Sequence, residues 1–446
     1  MSAQCDWAIA GDAVILGGGL AGLTAAFYSG APVYEAAEHP GGAAWSDPVG
    51  GIAFDRGIHV LQTSNQSILE LLAELGVELS TIRRQAYIYA RGTYTAYPFQ
   101  VNTTGLPLAL RLRCVYDFLR RTGDAANPKN YTEWIEANLG RGFAETFMLP
   151  YSQKFWTIDL EQMTYEWTGG RVPQPSAWQV LRGAFVDRRT AIGSNAVFQY
   201  PSARTGYATI AQALARRVRS LHLDHRAVRI DVRRHRVHFA NGRDADYRVL
   251  ISAIPLPELV AILSEVPAEV RAATALLRAN SVLSVGLAID GPSVEGRHWV
   301  HFPEPEFVFF RISYPHNFTD PPSASGPRGI CAEIAHSATR PLPKEGLIER
   351  VEADLRRAGA MLPEDRIIAT GAYDIKYAYC IYDHNRRAAI RTIRDWLHSI
   401  DIVPSGRYGL WTYFWSHEAM LSGRKSAKLV RQMLAAGRCD AVAAGK

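Results

Sequence analysis

The first clear pattern along the chain is a short apolar run followed by a cluster of glycines. Residues 13–16 (Ala-Val-Ile-Leu) are all hydrophobic, which is typical of a strand buried on both faces of a parallel sheet. Residues 17–22 then carry the pattern G-x-G-x-x-G, residues 23–28 continue as a helix, and residues 33–35 follow as a second strand. This spacing predicts a βαβ unit in which the glycine loop joins the first strand to the helix.

Helical and strand-like patterns alternate along the remaining chain. Helices are predicted at 68–75, between the candidate N-cap Ser67 and Gly76, and at 109–119, 131–139, 207–221 and 346–358. Strands are predicted at 227–232, 236–240, 249–251, 282–289, 307–312 and 330–334, with a turn at 241–242. The sequence contains no internal repeat and no low-complexity segment.

These patterns predict an α/β (mixed α+β) protein with three structural units. A Rossmann-like domain, formed by residues 1–66, 196–262 and 395–446, contains the glycine loop. Residues 67–195 are expected to form a helix-rich cap domain, and residues 263–394 a mixed or antiparallel sheet domain. The length of 446 residues agrees with three units of about 150 residues each.

Composition and charge indicate an ordinary globular protein. Hydrophobic residues make up 48% of the chain and charged residues 21%, which excludes disordered, collagenous and fibrous proteins. The net charge of +6 mildly favours anionic ligands. The densest basic stretch, residues 229–236, alternates with Val228, Ile230 and Val232 and has no interleaved aromatic residues. We therefore interpret it as the solvated face of a strand and expect no nucleic-acid partner.

Cysteine spacing and hydropathy predict the cellular setting. The cysteines are scattered and odd in number, so neither a disulfide framework nor a metal site is expected, and a reducing, cytoplasmic location is predicted. They are Cys5, Cys114, Cys331, Cys380 and Cys439. No apolar run reaches the ~18 residues that span a bilayer, and Asp6 and Asp12 stand where a signal peptide carries positive charge. The sequence thus predicts a soluble, untargeted protein with no membrane partner.

The glycine loop is the strongest chemical signal in the sequence. Gly17, Gly19 and Gly22 allow a pyrophosphate to approach the backbone N–H groups at the start of a helix. Glu35, 18 positions after Gly17, can accept hydrogen bonds from a ribose diol. Six residues past Glu35, Gly41-Gly42 supplies a second loop that permits close approach, which is typical of the flavin-binding version of this fold.

From these residues onward the chain resembles the FAD-dependent amine oxidase and protoporphyrinogen oxidase-like superfamily. Within it, the chain is similar to the UDP-galactopyranose mutase family over nearly its whole length, and more strongly to the eukaryotic-type branch. Several separate segments carry the similarity in the family's order: residues 54–59, 97–100, 147–151 continuing through 156 to 171–172, 193–196, 200–201, 252–255, 301–303 with 311, 379–382 and 406–413.

The resemblance implies a flavin enzyme that catalyses an isomerisation. FAD would lie across the Rossmann-like domain, and a nucleotide sugar would bind between that domain and the helical domain. In such mutases the N5 atom of reduced FAD attacks the anomeric carbon of the sugar, and the pyranose and furanose forms interconvert without net redox change. An external reductant would keep FAD reduced, and the absence of a Ser-His or Cys-His signature agrees with a nucleophile supplied by the cofactor.

The resemblance also assigns cofactor contacts. Glu35 would hold the adenosine ribose, while Arg407 would lie near the pyrophosphate or ribityl, or contact the substrate instead. His59, on the loop beside the isoalloxazine ring, would tune the reduced flavin or shape the site. The complete set of implied cofactor residues is Gly17, Gly19, Gly22, Glu35, Gly42, Ser46, His59, Val228, Arg407 and Tyr413.

Substrate contacts follow from the same resemblance. Tyr97, Gln100 and Phe147 match residues that sandwich and hydrogen-bond the uracil, and ordinary aromatic packing is the alternative for the two rings. Arg171 and Arg311 match the diphosphate-binding arginines and, with His59, form the implied catalytic set. The remaining implied substrate residues are Trp156, Asn195, His301, Tyr379, Arg407 and Tyr413.

Six positions depart from the family pattern. His301 stands where a diphosphate-binding tyrosine is usual, and Phe318 stands where another tyrosine is common. The other departures are Ser152 for asparagine, Cys380 for proline and His417-Glu418 for an acid-amide pair. Because two phenolic hydroxyls near the phosphates are lost, the identity of the sugar and of the nucleotide is left open, although His301 has a hydrogen-bond donor of its own.

Two alternatives to the mutase hypothesis remain at this stage. One is an FAD-dependent oxidoreductase, similar to protoporphyrinogen or amine oxidases, that removes hydride from a small molecule. The other is a flavin-binding scaffold without catalysis. An oxidase with a hydrophobic substrate favours an apolar channel, whereas the implied pocket collects arginines with Gln100 and Asn195. The sequence leaves the oligomeric state and the identity of the reductant open.

Overall fold

The computed structural model describes residues 12–121, 127–186, 196–202, 205–291, 296–319 and 326–444. In chain order its strands are Ala13–Leu16 (β1), Val33–Tyr34 (β2), Ser46–Val49 (β3), Ile52–Asp55 (β4), Leu79–Arg83 (β5), Ala86–Ala90 (β6), Thr93–Ala96 (β7), Val197–Pro201 (β8), Leu221–His222 (β9), Ala227–Asp231 (β10), Arg236–Phe239 (β11), Asp244–Asp246 (β12), Val249–Ser252 (β13), Ala279–Asp290 (β14), Trp299–His301 (β15), Arg311–Ser313 (β16), Arg328–His336 (β17), Arg366–Cys380 (β18) and Ile402–Pro404 (β19).

Helices connect and cover these strands. The α-helices are Leu20–Ser29 (α1), Gln66–Glu74 (α2), Leu108–Leu119 (α3), Tyr131–Phe143 (α4), Leu149–Trp156 (α5), Ala177–Phe185 (α6), Ala208–Arg217 (α7), Leu256–Ile262 (α8), Ala268–Ala275 (α9), Leu347–Arg357 (α10), Arg386–Ser399 (α11), Gly406–Gly409 (α12) and Ser416–Ala444 (α13). A π-helical turn, Ala144–Met148, joins α4 to α5. The predicted α/β (mixed α+β) fold class is confirmed.

A five-stranded parallel sheet contains the glycine loop. Its strand order is β19-β13-β1-β2-β9, and every neighbouring pair is parallel. Strands β1 and β13 are buried along their whole length, as the continuous apolar runs predict. Helix α1 packs against α13 so closely that a Cβ at Gly423 would lie 2.1 Å from the carbonyl oxygen of Ala21. The predicted βαβ unit is confirmed.

A seven-stranded mixed sheet forms the second layer. Its order is β18-β14-β17-β16-β15-β6-β7, and only the β15–β6 pair is parallel. The strands predicted at 282–289 and 330–334 lie within β14 and β17. The strand predicted at 307–312 is wrong for residues 307–310. Phe307, Phe309 and Phe310 are all buried in the core, so the apolar run reflects burial on several sides of an irregular segment.

The helical segment shares a hydrophobic core with the mixed sheet, since the same cluster of buried residues includes members of β14, β17 and β18. Helices α3 and α4 cross where Gly142 has no side chain, since a Cβ there would lie 2.7 Å from the Cα of Cys114. Helix α6 packs on the 3₁₀ turn Phe99–Val101, and a Cβ at Gly183 would lie 2.1 Å from the carbonyl oxygen of Val101. Strands β6 and β7, which belong to the segment 67–195, hydrogen-bond into the mixed sheet. The domain boundaries themselves stay a prediction.

Several predicted helix ends differ from the structure, and two of them show a physical reason. Asn65, rather than Ser67, caps α2, because its side chain accepts the Ile68 N–H at 3.3 Å. The helix predicted at 207–221 ends at Arg217, because Val218 is extended and residues 221–222 pair with β2. Both errors concern short polar or β-branched residues at helix ends. There the backbone conformation and the capping hydrogen bond decide where the helix stops, and the spacing of apolar residues does not.

The basic stretch forms a solvated hairpin, as predicted. Strands β10 and β11 pair antiparallel, and Arg236 forms an ion pair with Asp246 at 2.6 Å. Arg233 pairs with Glu265 at 2.8 Å on the exposed surface. Among the described residues, no group of three His, Cys, Asp or Glu side chains could hold a metal ion. No described helix is long and apolar enough to cross a membrane.

The close approach at Gly183 generates a stability prediction. Gly183→Ala should lower the free energy of unfolding by about 1–3 kcal/mol, because the added methyl group forces α6 away from Val101. Urea unfolding followed by circular dichroism measures this change. Gly169→Ala is the matched control, since the Cβ there would meet only the carbonyl oxygen of Glu166 at 4.0 Å. Equal stabilities of the two variants would contradict the close contact.

Candidate active site

A large cavity of about 960 Å³ lies where the parallel sheet, the mixed sheet and the helical segment meet. It brings together most of the residues that the resemblance implied. These are Gly17, Gly19, Glu35, Gly42, His59, Tyr97, Gln100, Phe147, Trp156, Arg171, His301, Arg311, Tyr379, Arg407 and Tyr413. Gly22, Ser46 and Val228 do not line it, and Asn195 lies outside the described residues.

The glycine loop forms one end of the cavity and fits an anionic group. Gly17 has φ +96°, and a Cβ at Gly22 would lie 1.8 Å from the Gly17 carbonyl oxygen, so the chain can turn this tightly only with glycine at both positions. Gly19 is the N-cap of α1 and offers no side-chain cap. The first N–H groups of α1 therefore face the cavity without a side-chain acceptor, which suits a pyrophosphate. Gly22 acts from behind, by permitting the turn.

Glu35 and the second glycine loop complete this end. The Glu35 carboxylate accepts the Gly18 N–H at 2.6 Å and the Ala37 N–H at 2.9 Å, one on each oxygen. Each oxygen keeps a further lone pair for a ribose hydroxyl. Gly41 donates its N–H to the Gly18 carbonyl at 2.8 Å, which holds the two glycine loops side by side.

Ser46 and Val228 occupy positions outside the cavity lining. The Ser46 hydroxyl donates to Asp55 at 2.6 Å and accepts the Ala208 N–H at 3.0 Å. It therefore supports the interior behind the site, where burial raises the pKa of Asp55 to about 6. Val228 lies on β10 with 47% of its surface exposed, while its neighbours at 225–227 line the cavity.

His59 lies on a loop whose turn depends on the positive φ of Gly57. Its Nδ1 is 3.1 Å from the Gly57 carbonyl oxygen, and its ring packs against Tyr207 with a centroid separation of 5.4 Å. Gly57 has φ +80°, and a Cβ there would lie 3.2 Å from Glu333. Burial lowers the pKa of His59 to about 4, so the imidazole is neutral near pH 7.

Arg311 is held by a buried carboxylate that the sequence analysis missed. Glu333 binds Arg311 through two hydrogen bonds, of 2.5 and 2.8 Å, and accepts the Ile58 N–H at 3.4 Å. The Glu333 side chain is 2% exposed. The available signal was an acid within the otherwise apolar run of β17, because acids are rarely buried without a partner.

Arg171 and Arg407 are both held by the segment 413–418. Arg171 donates to the Tyr413 carbonyl at 2.7 Å and to Glu418 at 3.2 Å, and its Nε is buried with no partner among the described residues. Arg407 donates to the Phe414 and Ala378 carbonyls at 2.7 and 2.6 Å. Glu418 also accepts the Trp415 N–H, so this departure from the family pattern has a clear structural role.

An aromatic wall, defined as Tyr97, Phe147, Tyr151, Tyr379 and Tyr413, closes the opposite side of the cavity. Phe147 and Tyr151 stack at 5.2 Å, while Tyr379 and Tyr413 meet edge to face at 5.4 Å. Gln100 donates its amide to the Pro173 carbonyl at 3.2 Å. Trp156 is fully buried beside Tyr379 and Tyr413, and its indole N–H has no partner among the described residues.

His301 is part of a polar pair with Tyr151. Its Nδ1 lies 2.9 Å from the Tyr151 hydroxyl, and its ring lies 5.3 Å from that of Tyr97. Burial lowers the pKa of His301 well below its ordinary value, so the ring is neutral. Arg84, which the sequence analysis also missed, lies over the Tyr97 ring at 4.7 Å and lines the same region.

Three other departures lie at the edge of the cavity or in the protein interior. Ser152 lines the cavity and is 3.3 Å from the Tyr131 hydroxyl. Phe318 packs against Phe198 and Tyr200 and does not reach the cavity. Cys380 is buried, and burial raises the pKa of its thiol to about 11. The missing hydroxyl at position 318 therefore has no direct effect on a bound ligand.

The geometry around Glu35 generates a binding prediction. If this end holds the FAD that the resemblance implies, Glu35→Gln should raise its dissociation constant roughly tenfold to a hundredfold. The substitution replaces one carboxylate oxygen, an acceptor, with an NH2 group, a donor that would face a backbone N–H. It also removes the negative charge, and a hydrogen bond to a charged group is worth about 1.5–3 kcal/mol. Titration of the cofactor-free protein, followed by cofactor fluorescence, measures the change. Glu38→Gln, three residues away and exposed, is the control and should bind like the unmodified protein.

Comparison with known proteins agrees with this arrangement. Residues 20–435 match the family described as "Flavin containing amine oxidoreductase". A reduced UDP-galactopyranose mutase has a similar structure, with a TM-score of 0.89 and 26% identity over 95% of this chain and 96% of that chain. A putative protoporphyrinogen oxidase from Exiguobacterium sp. 255-15 shares the fold, with a TM-score of 0.72 and 16% identity over 95% and 99% of the two chains.

A fatty acid isomerase from P. acnes that produces CLA also shares the fold, with a TM-score of 0.63 and 14% identity over 95% and 98% of the two chains. The family match spans most of the chain and implies a flavin cofactor, for which the glycine loops and Glu35 provide a fitting site. The protein therefore belongs to the flavin-containing amine oxidoreductase family.

Proposed function

We propose that this protein is an FAD-dependent nucleotide-sugar mutase, an isomerase that interconverts the pyranose and furanose forms of a sugar carried on a nucleoside diphosphate. The proposal is carried by one observation, the convergence of Arg171, Arg311 and Arg407 beside His59 in a cavity closed by the aromatic wall. The 26% identity to a reduced UDP-galactopyranose mutase over 95% of the chain supports it. Within the mutases, the segments quoted above favour the eukaryotic-type branch.

The cofactor end has the groups that FAD requires. The N–H groups at the start of α1 would bind the pyrophosphate, and Glu35 would accept the ribose hydroxyls. When bound and kept reduced by an external reductant, the flavin would supply the nucleophile for the anomeric carbon. His59 is neutral, so it places no third positive charge beside Arg311 and Arg407 and offers a single hydrogen bond.

The arginines would retain the departing diphosphate. In a mutase the bond between sugar and diphosphate breaks and later re-forms, so the diphosphate must stay close while it carries extra charge. Guanidinium groups suit this task because they stay protonated and donate in a planar fork. Glu333 and the carbonyls of residues 378, 413 and 414 hold the three arginines in place before any ligand arrives.

The aromatic wall would recognise the nucleobase. Tyr97 and Phe147 offer flat apolar faces, and Gln100 offers one amide for orientation. Trp156, Tyr379 and Tyr413 would line the sugar and diphosphate region. We propose a nucleotide sugar as the partner ligand and no nucleic acid, because the exposed basic hairpin at 227–239 is already compensated by ion pairs with acids.

An oxidoreductase of the same family is the competing function. The fold is shared with a putative protoporphyrinogen oxidase at 16% identity, which is evidence for the architecture alone. A channel for an apolar substrate does not require Arg171, Arg311 and Arg407 together. Their convergence therefore favours an anionic ligand and the mutase hypothesis.

The decisive experiment is anaerobic incubation with nucleotide sugars, beginning with UDP-galactopyranose. Enzyme reduced with dithionite should form an isomer of unchanged mass, detected by chromatography with mass spectrometry, and oxidised enzyme should form none. A panel of other nucleotide sugars would identify the preferred sugar. If flavin-loaded enzyme isomerises no member of a broad panel in either state, the mutase assignment fails, and a substrate that bleaches the oxidised flavin should be sought.

The Tyr151–His301 pair should contribute to diphosphate binding. Tyr151→Phe removes the hydroxyl that fixes the His301 ring and its tautomer, so KM for the nucleotide sugar should rise about two- to tenfold, the effect of one ordinary hydrogen bond. The change in kcat should be smaller, because the three arginines remain. Steady-state kinetics and UDP titration measure both effects. Tyr94→Phe, which loses a hydroxyl contact to Ala358 outside the cavity, is the control.

A further inference from the structure

The helical segment carries a concentrated patch of exposed apolar side chains. Of the thirteen large hydrophobic residues that are exposed in the described part of the chain, eight lie on α3, on α6 or directly after α6. We call this patch the α3/α6 surface, and it consists of Leu108, Leu112, Tyr116, Leu119, Trp178, Leu181, Phe185 and Val186. Such clustering indicates an interaction surface, because isolated exposed hydrophobic residues are otherwise scattered.

The eight side chains lie on the outer faces of two neighbouring helices and directly after the second. On α3 they recur at helical spacing, on a stripe that excludes the buried residues Cys114, Val115 and Phe118. On α6 they lie opposite Val180 and Gly183, which face the protein core. The two helices pack together, and Arg111 on α3 donates to the Ala184 carbonyl on α6 at 2.9 Å. The most prominent members are Trp178, 69% exposed, and Leu119, 57% exposed.

The same surface is strongly basic. Residues 108–121 and 177–186 contain five arginines and one aspartate, a net charge of five minus one, or +4. The arginines are Arg111, Arg113, Arg120, Arg121 and Arg182. Asp117 lies 3.5 Å from Arg113, which also pairs with Glu145, so the local acids are used by a single arginine. Arg120 and Arg121 contact Tyr116 and Phe118 and no carboxylate of the described residues.

We propose that the α3/α6 surface docks the protein on an anionic lipid bilayer. Leucine, tryptophan and phenylalanine side chains would enter the headgroup zone, and the arginines would bind lipid phosphates. A second copy of the chain fits less well, because a two-fold contact would bring the +4 surface against itself. A bilayer supplies the complementary charge and needs no matching shape.

This surface was not visible in the sequence analysis, which predicted no membrane partner because no apolar run is long enough to span. Docking needs no spanning helix, only an apolar and basic face on the outside of the fold. Residues 108–119 and 178–186 are far apart in the sequence and become neighbours only when α3 and α6 pack. The inference does not depend on which reaction the cavity catalyses.

The test is flotation of the full-length, flavin-loaded protein with vesicles. Vesicles of phosphatidylcholine with phosphatidylglycerol should carry the protein upward, and phosphatidylcholine vesicles should not. Arg120→Glu should weaken the partition coefficient at least about fivefold, since each basic residue near an anionic surface contributes about a factor of five. Trp178→Ser with Leu181→Ser should weaken it by more, and 0.5 M salt should weaken it for the unmodified protein.

Controls separate docking from general surface effects. Leu276→Ser with Leu429→Ser removes two exposed hydrophobic residues elsewhere and should leave flotation unchanged. All variants alter exposed side chains, and thermal unfolding confirms that they fold. The proposal is overturned if anionic vesicles do not carry the protein, or if both vesicle types carry it equally. It is also overturned if light scattering shows an oligomer that Trp178→Ser with Leu181→Ser dissociates.

Discussion

The buried carboxylate of Glu333 is the contact on which the active-site geometry depends. It lies on β17 of the mixed sheet, binds Arg311 on the neighbouring strand through two hydrogen bonds, and accepts the Ile58 N–H from the loop that carries His59. One side chain thus fixes Arg311 and the loop that carries His59 relative to each other. A buried ion pair of this kind contributes little net stability, but the removal of one partner leaves a costly unpaired charge. Here the ion pair serves mainly to hold Arg311 and the loop before His59 in fixed positions.

The three arginines of the cavity share a second constraint. Each is held by groups of the protein before a ligand binds: Arg311 by Glu333, Arg171 by Glu418 and the Tyr413 carbonyl, and Arg407 by two carbonyls. Side chains that are already ordered lose little conformational entropy when an anion arrives. The neutral states of His59 and His301 follow from burial beside these arginines, which disfavours a further positive charge.

The sequence predicted what local signals encode. The apolar run of β1, the glycine spacing and Glu35 all act within about twenty residues, and the structure has the predicted βαβ unit there. Glu333 could not be predicted as a partner of Arg311 and Ile58, because the contact to Ile58 joins residues 275 positions apart.

Strand β18 was missed for a related reason. Its alternating pattern contains glycine, lysine and aspartate on a half-exposed sheet edge, so the apolar signal is weak. The resemblance to a family found the distant arginines because it carries information about tertiary contacts that periodicity lacks.

Helix α6 connects the cavity with the outside of the molecule. Its inner face, through Gly183, packs against the backbone of Val101, next to Gln100 in the cavity wall. Its outer face carries Trp178, Leu181 and Phe185. Because a Cβ at Gly183 would lie only 2.1 Å from the Val101 carbonyl oxygen, there is no gap between helix and wall in which a movement could be absorbed. A partner that pushes α6 inward from the outside would therefore also press on the segment that carries Gln100, so the surface of this helix is mechanically coupled to the wall of the cavity.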